Sequence, residues 1–437
     1  MNSKLSEKKR FIPPGTILPF ILVTALFMYW GIPANLNDVL IKQFMKSFEI
    51  SRFQAGLIQS AFYMGYFLLA MPAALLMRKF NYKTGLITGL FLFSIGCYLF
   101  WPAALAGKYS FFLFALFVIA AGLSFLETGA NPFIASLGNP ETSERRLNFS
   151  QSFYPLGAVI GALAGTLFIF SGIEHNETTI NAMKAAGEYD AYLKKETLRV
   201  VTPYMVLATI VLAWGIFMLL TKFPKIHEEK NDYIQKGKLS DLFKYPHFWK
   251  GVLGEFFYVG AQVCTWSYFI TYIQDYTGQP EKIAGGILTG TLVAFGVGRF
   301  FSTWIMKYFK PNKMMGVYAI CNMVLVGIGI VFPGWIGVGA IFLTSFFMSL
   351  MFPTTFALSI KGLGPNTKLG GSLLVMAIIG GAVFTPIMGL VSQITGSMAL
   401  AMIVPFTGYV YMVYYAYRGC RMKGEPVFEN NKVNMLN

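Results

Sequence analysis

Twelve apolar runs, each long enough to cross a lipid bilayer as a helix, constrain this chain more than any other feature of its sequence. A membrane-crossing helix needs about 20 consecutive apolar residues. Within lipid, a helix also satisfies its own backbone hydrogen-bonding groups. We therefore predict an all-α integral membrane protein with twelve transmembrane helices. The runs fall at 17–41, 55–77, 84–106, 110–137, 150–173, 203–221, 251–274, 283–306, 314–333, 335–360, 370–394 and 398–417.

The scarcity of charged residues supports this class and argues against a soluble protein. Only 13% of the residues are charged and 55% are hydrophobic, whereas a soluble domain carries about 25% charged residues. The net charge of +15 does not indicate nucleic-acid binding, because the basic residues lie in short loops between apolar runs. We expect membrane lipid around the chain and no nucleic acid.

Side chains typical of metal centres and enzymes form no recognisable pattern. The cysteines show no CxxC spacing and lie mostly in apolar runs, which indicates neither a disulfide framework nor a metal site. We therefore predict no metal, no cofactor and no enzymatic activity. The four cysteines are Cys97, Cys264, Cys321 and Cys420.

Lysines and arginines are distributed unevenly between the two sides of the predicted bundle. With the N-terminus in the cytoplasm, 25 of the 35 lie in cytoplasmic segments, 9 lie on the opposite side, and Arg299 lies within a helix. Cytoplasmic loops carry such an excess of positive residues. The pattern predicts a multi-pass protein of the cell (inner) membrane with both termini in the cytoplasm.

A long basic segment divides the chain into two sets of six helices. We predict an N-terminal bundle at 1–221, a cytoplasmic linker at 222–250, and a C-terminal bundle with a cytoplasmic tail at 251–437. The two sets resemble each other weakly, because Gly138 and Gly364 each precede a glycine-rich helix. A duplicated helical unit is typical of an alternating-access transporter, which we expect to be monomeric.

Asp38 is the first ionisable residue inside a predicted helix. Asn35 lies three residues earlier, so the two side chains share a helix face. One interpretation is that Asp38 merely ends the helix at the membrane interface. The apolar run continues after it to Ile41, which favours a buried, functional carboxylate.

Glu127 lies in the middle of the fourth predicted helix. An ionisable residue there costs at least a few kcal/mol and normally faces a cavity or a partner. Asn131, four residues later, adds a hydrogen-bonding amide to the same face, and Pro132 removes a backbone donor. The alternative is a structural glutamate that is hydrogen-bonded to a neighbouring helix.

Two buried carboxylates without an obvious cationic partner indicate proton binding. Removal from water disfavours the charged form of a carboxyl group, so Asp38 and Glu127 are our candidates for proton coupling. Arg299, near the middle of the eighth predicted helix, either pairs with a carboxylate or has a structural role. Glu255 lies near the start of the seventh and is left out of the site, because its side chain can extend to the membrane surface.

Further polar and aromatic side chains at helical spacing form a candidate binding set. Amides recognise hydroxyl groups, and aromatic faces stack on the apolar face of a sugar ring. Hydrogen bonding between helices is the alternative role for each of them. The substrate-binding candidates are Asn35, Gln59, Tyr63, Glu127, Asn131, Gln151, Tyr154, Gln262 and Trp266.

Seven short stretches carry a resemblance to a known family. They are residues 35–38 (NLND), 53–63 (FQAGLIQSAFY), 126–133 (LETGANPF), 258–262 (YVGAQ), 266–268 (WSY), 288–291 (LTGT) and 378–381 (IIGG). Together they resemble the bacterial L-fucose:proton symporters, the sugar-symporter branch of the major facilitator superfamily. The resemblance covers nearly the whole chain and implies the major facilitator fold of two six-helix halves.

The resemblance also implies roles for individual residues. The family's aspartate of proton coupling corresponds to Asp38, and its glutamate of sugar binding coupled to protonation corresponds to Glu127. A family glutamine corresponds to Gln151. Where the fucose transporter has a sugar-contacting asparagine, this chain has Tyr154, so the identity of the sugar stays open between L-fucose and related hexoses such as galactose or glucose.

Two other transport functions and one unrelated class remain as alternatives. A sodium-coupled hexose transporter and a proton-coupled drug or metabolite exporter would have the same fold. A membrane sensor or enzyme is disfavoured, because the sequence shows no nucleophile constellation, phosphate loop or soluble domain. The primary hypothesis is a proton-coupled sugar symporter that works by alternating access.

Overall fold

The computed structural model describes residues 12–13, 15–138, 143–224, 239–306, 308–363 and 366–421. In this described part, twelve long helical segments follow one another in the order predicted. We label them α1 Ile17–Ser47, α2 Arg52–Lys79, α3 Tyr82–Ala106, α4 Tyr109–Ser136, α5 Phe149–Ile169, α6 Tyr189–Leu220, α7 Pro246–Thr277, α8 Glu281–Ile305, α9 Pro311–Val331, α10 Trp335–Ile360, α11 Leu369–Thr395 and α12 Met398–Gly419.

The prediction of twelve transmembrane helices is confirmed. Eleven of the described segments are long and apolar enough to cross a membrane by themselves. The other one, α7, spans 32 residues and carries more polar side chains. Most of α7 is buried within the protein rather than exposed to lipid, which explains how it tolerates that polarity.

Local sequence signals set the short turns between helices. Ser51 caps α2 in a capping box, in which the backbone N–H of Gln54 donates to the Ser51 hydroxyl at 3.2 Å. Gly278 follows α7 with a φ of 65°, a left-handed conformation that glycine adopts without a steric penalty. Such turns force consecutive helices to run antiparallel.

The segment predicted as a linker is partly helical. A short helix occupies Leu239–Leu242, and α7 begins at Pro246 rather than near 251. Proline is well tolerated in the first turn of a helix, where its missing N–H would have no partner. Residues 225–238 of the predicted linker, the N-terminal tail and most of the C-terminal tail lie outside the described residues.

We refer to α1–α6 as the first half and to α7–α12 as the second half. The side on which α6 ends and α7 begins is the linker side, and the opposite side is the far side. Between the halves, α2 packs against α11, α5 packs against α8, and α1 faces α7. The boundary between the halves is called the seam.

Close glycine contacts hold the helices together within each half. In the first half, a Cβ atom at Gly157 of α5 would overlap the carbonyl oxygen of Met28 in α1, and Gly161 is packed against α1 in the same way. In the second half, a Cβ atom at Gly380 of α11 would overlap the carbonyl oxygen of Phe256 in α7. The pairs α1–α5 and α7–α11 are therefore in backbone contact.

Candidate functional site

A cavity of about 140 Å³ lies at the seam, near the middle of the bundle. A cavity needs about 10–15 Å³ by the same measure to hold one water molecule, so this cavity has room for a small ligand. Three residues with charged groups line it: Asp38 and Glu127 from the first half and Arg299 from the second. The described part of the chain contains no cluster of possible metal ligands.

The cavity collects most of the residues predicted for the site. All of the predicted site residues except Gln59 lie on its wall, and the roles assigned to them remain predictions. Those on the wall are Asn35, Asp38, Tyr63, Glu127, Asn131, Gln151, Tyr154, Gln262 and Trp266.

The two halves contribute different chemistry to the cavity wall. The first half supplies most of the carboxyl, amide and phenol groups. The second half supplies Gln262 and Arg299 together with large aromatic and apolar side chains. The other wall residues are Phe27, Trp30, Ala34, Phe62, Tyr66, Tyr258, Val259, Val263, Phe295, Phe352 and Ile378.

Asp38 joins the two halves through its carboxyl group. Its side chain is buried, and its Oδ1 accepts hydrogen bonds from Gln59 Nε2 at 3.0 Å and from Ser267 Oγ at 2.9 Å. Gln59 Nε2 also lies 2.9 Å from Ser267 Oγ. Gln59, although it is not on the cavity wall, therefore holds the predicted proton-coupling residue in place.

The alternative in which Asp38 merely ends its helix is wrong. Helix α1 continues beyond it to Ser47, and the carboxyl group lies inside the protein. The sequence suggested this continuation through the apolar residues up to Ile41. It gave no indication of the contact with Ser267, which is 229 residues away in the chain.

Glu127 faces the cavity, with its carboxyl group making no hydrogen bond to another described residue. Its backbone oxygen accepts a bond from Asn131 Nδ2 at 3.1 Å, one helical turn later. Gln151 Nε2 in turn lies 3.3 Å from Asn131 Oδ1 and links α5 to α4. The contacts of the described residues thus favour a cavity-facing glutamate over one that bonds a neighbouring helix.

Arg299 lies on the cavity wall. It does not form the ion pair with a carboxylate that was one of our two alternatives for it. Within the described residues, no carboxylate oxygen lies within 4 Å of its guanidinium group. The guanidinium carbon instead lies 5.5 Å from the ring centre of Phe295, a distance typical of a cation–π contact. Arg299 therefore adds a positive charge to the cavity that contains Asp38 and Glu127.

Two aromatic residues of the second half form a fixed wall of the cavity. Trp266 Nε1 donates to Ser345 Oγ at 2.9 Å, and the Tyr258 hydroxyl donates to the carbonyl oxygen of Met348 at 2.8 Å. Their polar atoms are thus engaged inside the second half, which leaves their rings as the cavity surface. Trp266 was a predicted site residue, whereas Tyr258 appeared only within the stretch 258–262 that carries the family resemblance.

Tyr66 is another wall residue that our sequence reasoning missed. It lies on α2, three residues after Tyr63, and the two ring centres are 6.1 Å apart. The spacing of Tyr63 and Tyr66 is a helical-face signal that was available in the sequence. With Tyr154 they place three phenol groups on the same wall as Glu127.

Glu255 does not extend to the membrane surface as suggested from the sequence. It is completely buried, and neither carboxyl oxygen has a hydrogen-bond partner among the described residues. The start of α7 lies about two and a half turns earlier, at Pro246, which places Glu255 too deep for its short side chain to reach the helix end. Glu255 does not line the cavity.

Comparison with known proteins places this arrangement among transporters. A model of the Major Facilitator Superfamily matches residues 15–370. The L-fucose-proton symporter of Escherichia coli is 43% identical over 394 residues, which are 89% of this chain and 90% of that protein. A glucose/galactose transporter of Brucella abortus is 34% identical over 91% of this chain and 93% of that protein.

Solved structures show the same architecture. The crystal structure of the transporter FucP in the outward conformation matches with a TM-score of 0.70 and 42% identity, covering 92% of this chain and 98% of that one. A D-xylose-proton symporter matches with a TM-score of 0.67 and 13% identity, covering 91% of this chain and 96% of that one. The latter likeness concerns the fold alone.

Proposed function

Because this chain belongs to the L-fucose:proton symporter family of the major facilitator superfamily, we propose that it imports L-fucose or a related hexose together with a proton. The observation that carries this proposal is the cavity at the seam, which combines two carboxyl groups with amides and fixed aromatic rings. A membrane transporter of this kind moves its substrate without covalent chemistry. The sugar and the proton are thus its transported partners.

The composition of the cavity wall matches the two kinds of surface on a hexose. Sugar hydroxyl groups need donors and acceptors, which the first half supplies through Glu127, Asn131 and Gln151. The apolar face of the sugar ring suits the fixed rings of Trp266 and Tyr258. A sugar in the cavity would therefore contact both halves at once. Binding of the sugar would then favour the movement of the two halves toward each other.

Asp38 has the position required for proton coupling. Its carboxyl group lies between the halves and meets Ser267 only when α1 and α7 are close together. Burying an ionised carboxylate without a cation is costly, whereas a protonated carboxyl group removes that cost. Proton binding at Asp38 therefore favours closure of the seam around the sugar, and proton release on the other side resets the cycle.

The conformation fits one stage of this cycle. The hydrogen bonds that join described residues of the two halves lie between the level of the cavity and the far side. We propose that the far side faces outward and the linker side faces the cytoplasm, so the protein is closed to the outside. The related transporter FucP was solved in the outward conformation and matches with a TM-score of 0.70 at 42% identity, which supports the proposal that the two structures represent different stages of the cycle.

We further propose that the protein works as a monomer in the cell (inner) membrane, with both termini in the cytoplasm. The excess of lysine and arginine on the linker side supports this orientation. The cavity at the seam lies inside one chain and takes its wall from both halves. One chain therefore supplies a complete pathway.

Uptake into proteoliposomes under an imposed pH gradient tests the function. A proton supplies about 1.4 kcal/mol per pH unit, which corresponds to about tenfold accumulation of a neutral sugar. We expect L-fucose, galactose or glucose to accumulate about tenfold when the outside is one pH unit more acidic, and a protonophore to abolish this accumulation. Protein-free liposomes are the control. Uptake that ignores the pH gradient and requires sodium would show that proton coupling is wrong.

Tyr154 is the residue that we expect to set the choice of sugar. It lies on the cavity wall where the resemblance implies an asparagine. Replacing it with asparagine should raise the ratio of L-fucose affinity to galactose affinity by roughly three- to tenfold. This factor corresponds to the net free energy of one hydrogen bond. Equilibrium binding of each sugar to the purified protein measures this ratio. The Tyr154→Phe variant separates the loss of the hydroxyl from the change of shape, and an unchanged ratio in Tyr154→Asn would contradict the assignment.

A further inference from the structure

A charged network crosses the seam at the far side, about two helical turns from Asp38 along α1. Lys46 Nζ lies 3.1 Å from Glu196 Oε2 and 3.3 Å from Glu281 Oε1. Lys46 and Glu196 belong to the first half, and Glu281 is the first residue of α8 in the second half. We call Lys46, Glu196 and Glu281 the far-side latch.

The far-side latch is buried, unlike most ion pairs on a protein surface. The side-chain exposure is 16% for Lys46, 4% for Glu196 and 1% for Glu281. Lys46 also donates to Ser171 Oγ at 3.0 Å and to the carbonyl oxygen of Ile173 at 2.9 Å. One ammonium group thus lies within reach of two carboxylates, a hydroxyl group and a carbonyl oxygen.

Further contacts bring the segment between α5 and α6 into the same network. The backbone N–H of Gly172 donates to Glu281 Oε1 at 3.1 Å, and the backbone N–H of Glu281 donates to Glu174 Oε1 at 3.0 Å. Glu174 therefore satisfies a free donor at the start of α8, where a negative charge is favourable. This long segment of the first half is thereby bound to the second half.

A second ion pair crosses the seam nearby but is more exposed. Arg52 Nη2 lies 2.7 Å from Asp275 Oδ2, and Arg52 Nη1 donates to Ser392 Oγ at 2.6 Å. The side chains of Arg52 and Asp275 are 24% and 28% exposed. Exposed ion pairs contribute little to stability, so the buried latch is the stronger candidate for control of the seam.

We propose that Lys46 is a positioning residue for transport, which holds the far side closed by bridging Glu196 and Glu281 across the seam. Both carboxylates lose water when the halves meet, and a partner cation is then required. When the halves separate, water replaces these contacts. The latch therefore stabilises only the conformation that is closed at the far side.

The position of Lys46 on α1 relates the latch to the proton site. Asp38, Lys42 and Lys46 are spaced by four residues, so they lie along one face of the helix. This face meets Ser267 of α7 at Asp38 and Glu281 of α8 at Lys46. Closure at the proton site and closure of the latch therefore occur together as α1 approaches the second half.

Thiol labelling of a buried residue of α7 tests this proposal. Thr271 lies on α7, one turn from Ser267 toward the far side, and is 1% exposed. In cells that produce the Thr271→Cys variant, we expect slow reaction with a membrane-impermeant maleimide. Adding Lys46→Gln should increase the labelling rate at least tenfold, and Lys46→Arg should restore slow labelling. The protein without Thr271→Cys measures the background from Cys97, Cys264, Cys321 and Cys420.

Matched variants separate a latch from a general loss of structure. Lys194→Gln removes an exposed lysine of the same side and should leave the labelling rate unchanged. Adding Glu281→Gln to Lys46→Gln removes one uncompensated carboxylate and should slow the labelling again. Fast labelling in both the single and the double variant would overturn the charge argument, as would slow labelling in Lys46→Gln itself.

A transport measurement adds a readout that a purely structural role would not change. The proposal rests on the proposed alternating access, and we expect Lys46→Gln to lower kcat for uptake while KM for external sugar stays equal or falls. This follows because a larger population of the outward-open form raises apparent affinity. The labelling needs neither sugar nor a gradient, so failure of the latch and failure of the transport function give different results.

Discussion

We expect the Glu127→Gln variant to lose accumulation of sugar against its gradient while it retains exchange of sugar across the membrane. Glutamine is nearly the shape of a protonated glutamate and cannot ionise, so binding survives while the coupling is lost. With one pH unit across the membrane, accumulation should fall from about tenfold to about onefold. Uptake of labelled sugar into proteoliposomes measures accumulation, and counterflow with unlabelled sugar inside measures exchange.

Glu255→Gln is the matched control for this variant. Glu255 is also a buried glutamate within a membrane helix, but it lies outside the cavity wall. We expect its replacement to leave sugar accumulation close to that of the unmodified protein. If Glu127→Gln accumulates sugar as the unmodified protein does, Glu127 has a structural role and the assignment of coupling to it is wrong.

The second large effect is expected for Asp38→Asn. The asparagine oxygen can still accept the hydrogen bonds from Gln59 and Ser267, but the side chain stays neutral in every conformation. Closure at the seam then no longer depends on a proton. We expect sugar affinity to change less than threefold, which is below about 0.7 kcal/mol, while gradient-driven accumulation falls about tenfold.

Comparison of sugar binding with sugar uptake in Asp38→Asn tests this prediction. Equilibrium binding to purified Asp38→Asn gives the affinity, and proteoliposome uptake under the same pH gradient gives the coupling. A Ser267→Ala variant provides a related measurement, because it removes the donor across the seam and leaves the carboxyl group able to ionise. Equal losses of binding and accumulation in Asp38→Asn would contradict the separation of proton coupling from sugar contact.

The sequence was sufficient to predict the membrane helices and the main polar residues of the site. Helical spacing placed Asn35 with Asp38 and Glu127 with Asn131, and all four line the cavity. These predictions depend on contacts within one helix, where distance along the chain determines which side chains are neighbours. Helical spacing also placed Gln151 with Tyr154, and the family resemblance then related these two positions to residues of the family's sugar site.

Contacts between the halves could not be predicted in this way. The partner of Asp38 across the seam, Ser267, and the latch pair of Lys46 and Glu281 depend on how two separate bundles meet. No periodicity within one helix contains that information. The burial of Glu255 was missed for a different reason: a predicted helix start near residue 251 favoured the surface, whereas α7 begins at Pro246 and places Glu255 deeper.

The glycine contacts of α1 with α5 and of α7 with α11 have a consequence for how the protein can be controlled from outside. Backbones in direct contact resist sliding, so we expect each half to move as one unit in the proposed cycle, with the main change at the seam. A ligand or antibody fragment that binds only one half should move with that half and leave transport unaffected. A binder that contacts both halves at the far side should block the transport cycle. The surface around Lys46 and Glu281 is therefore the site where we expect an inhibitor to act.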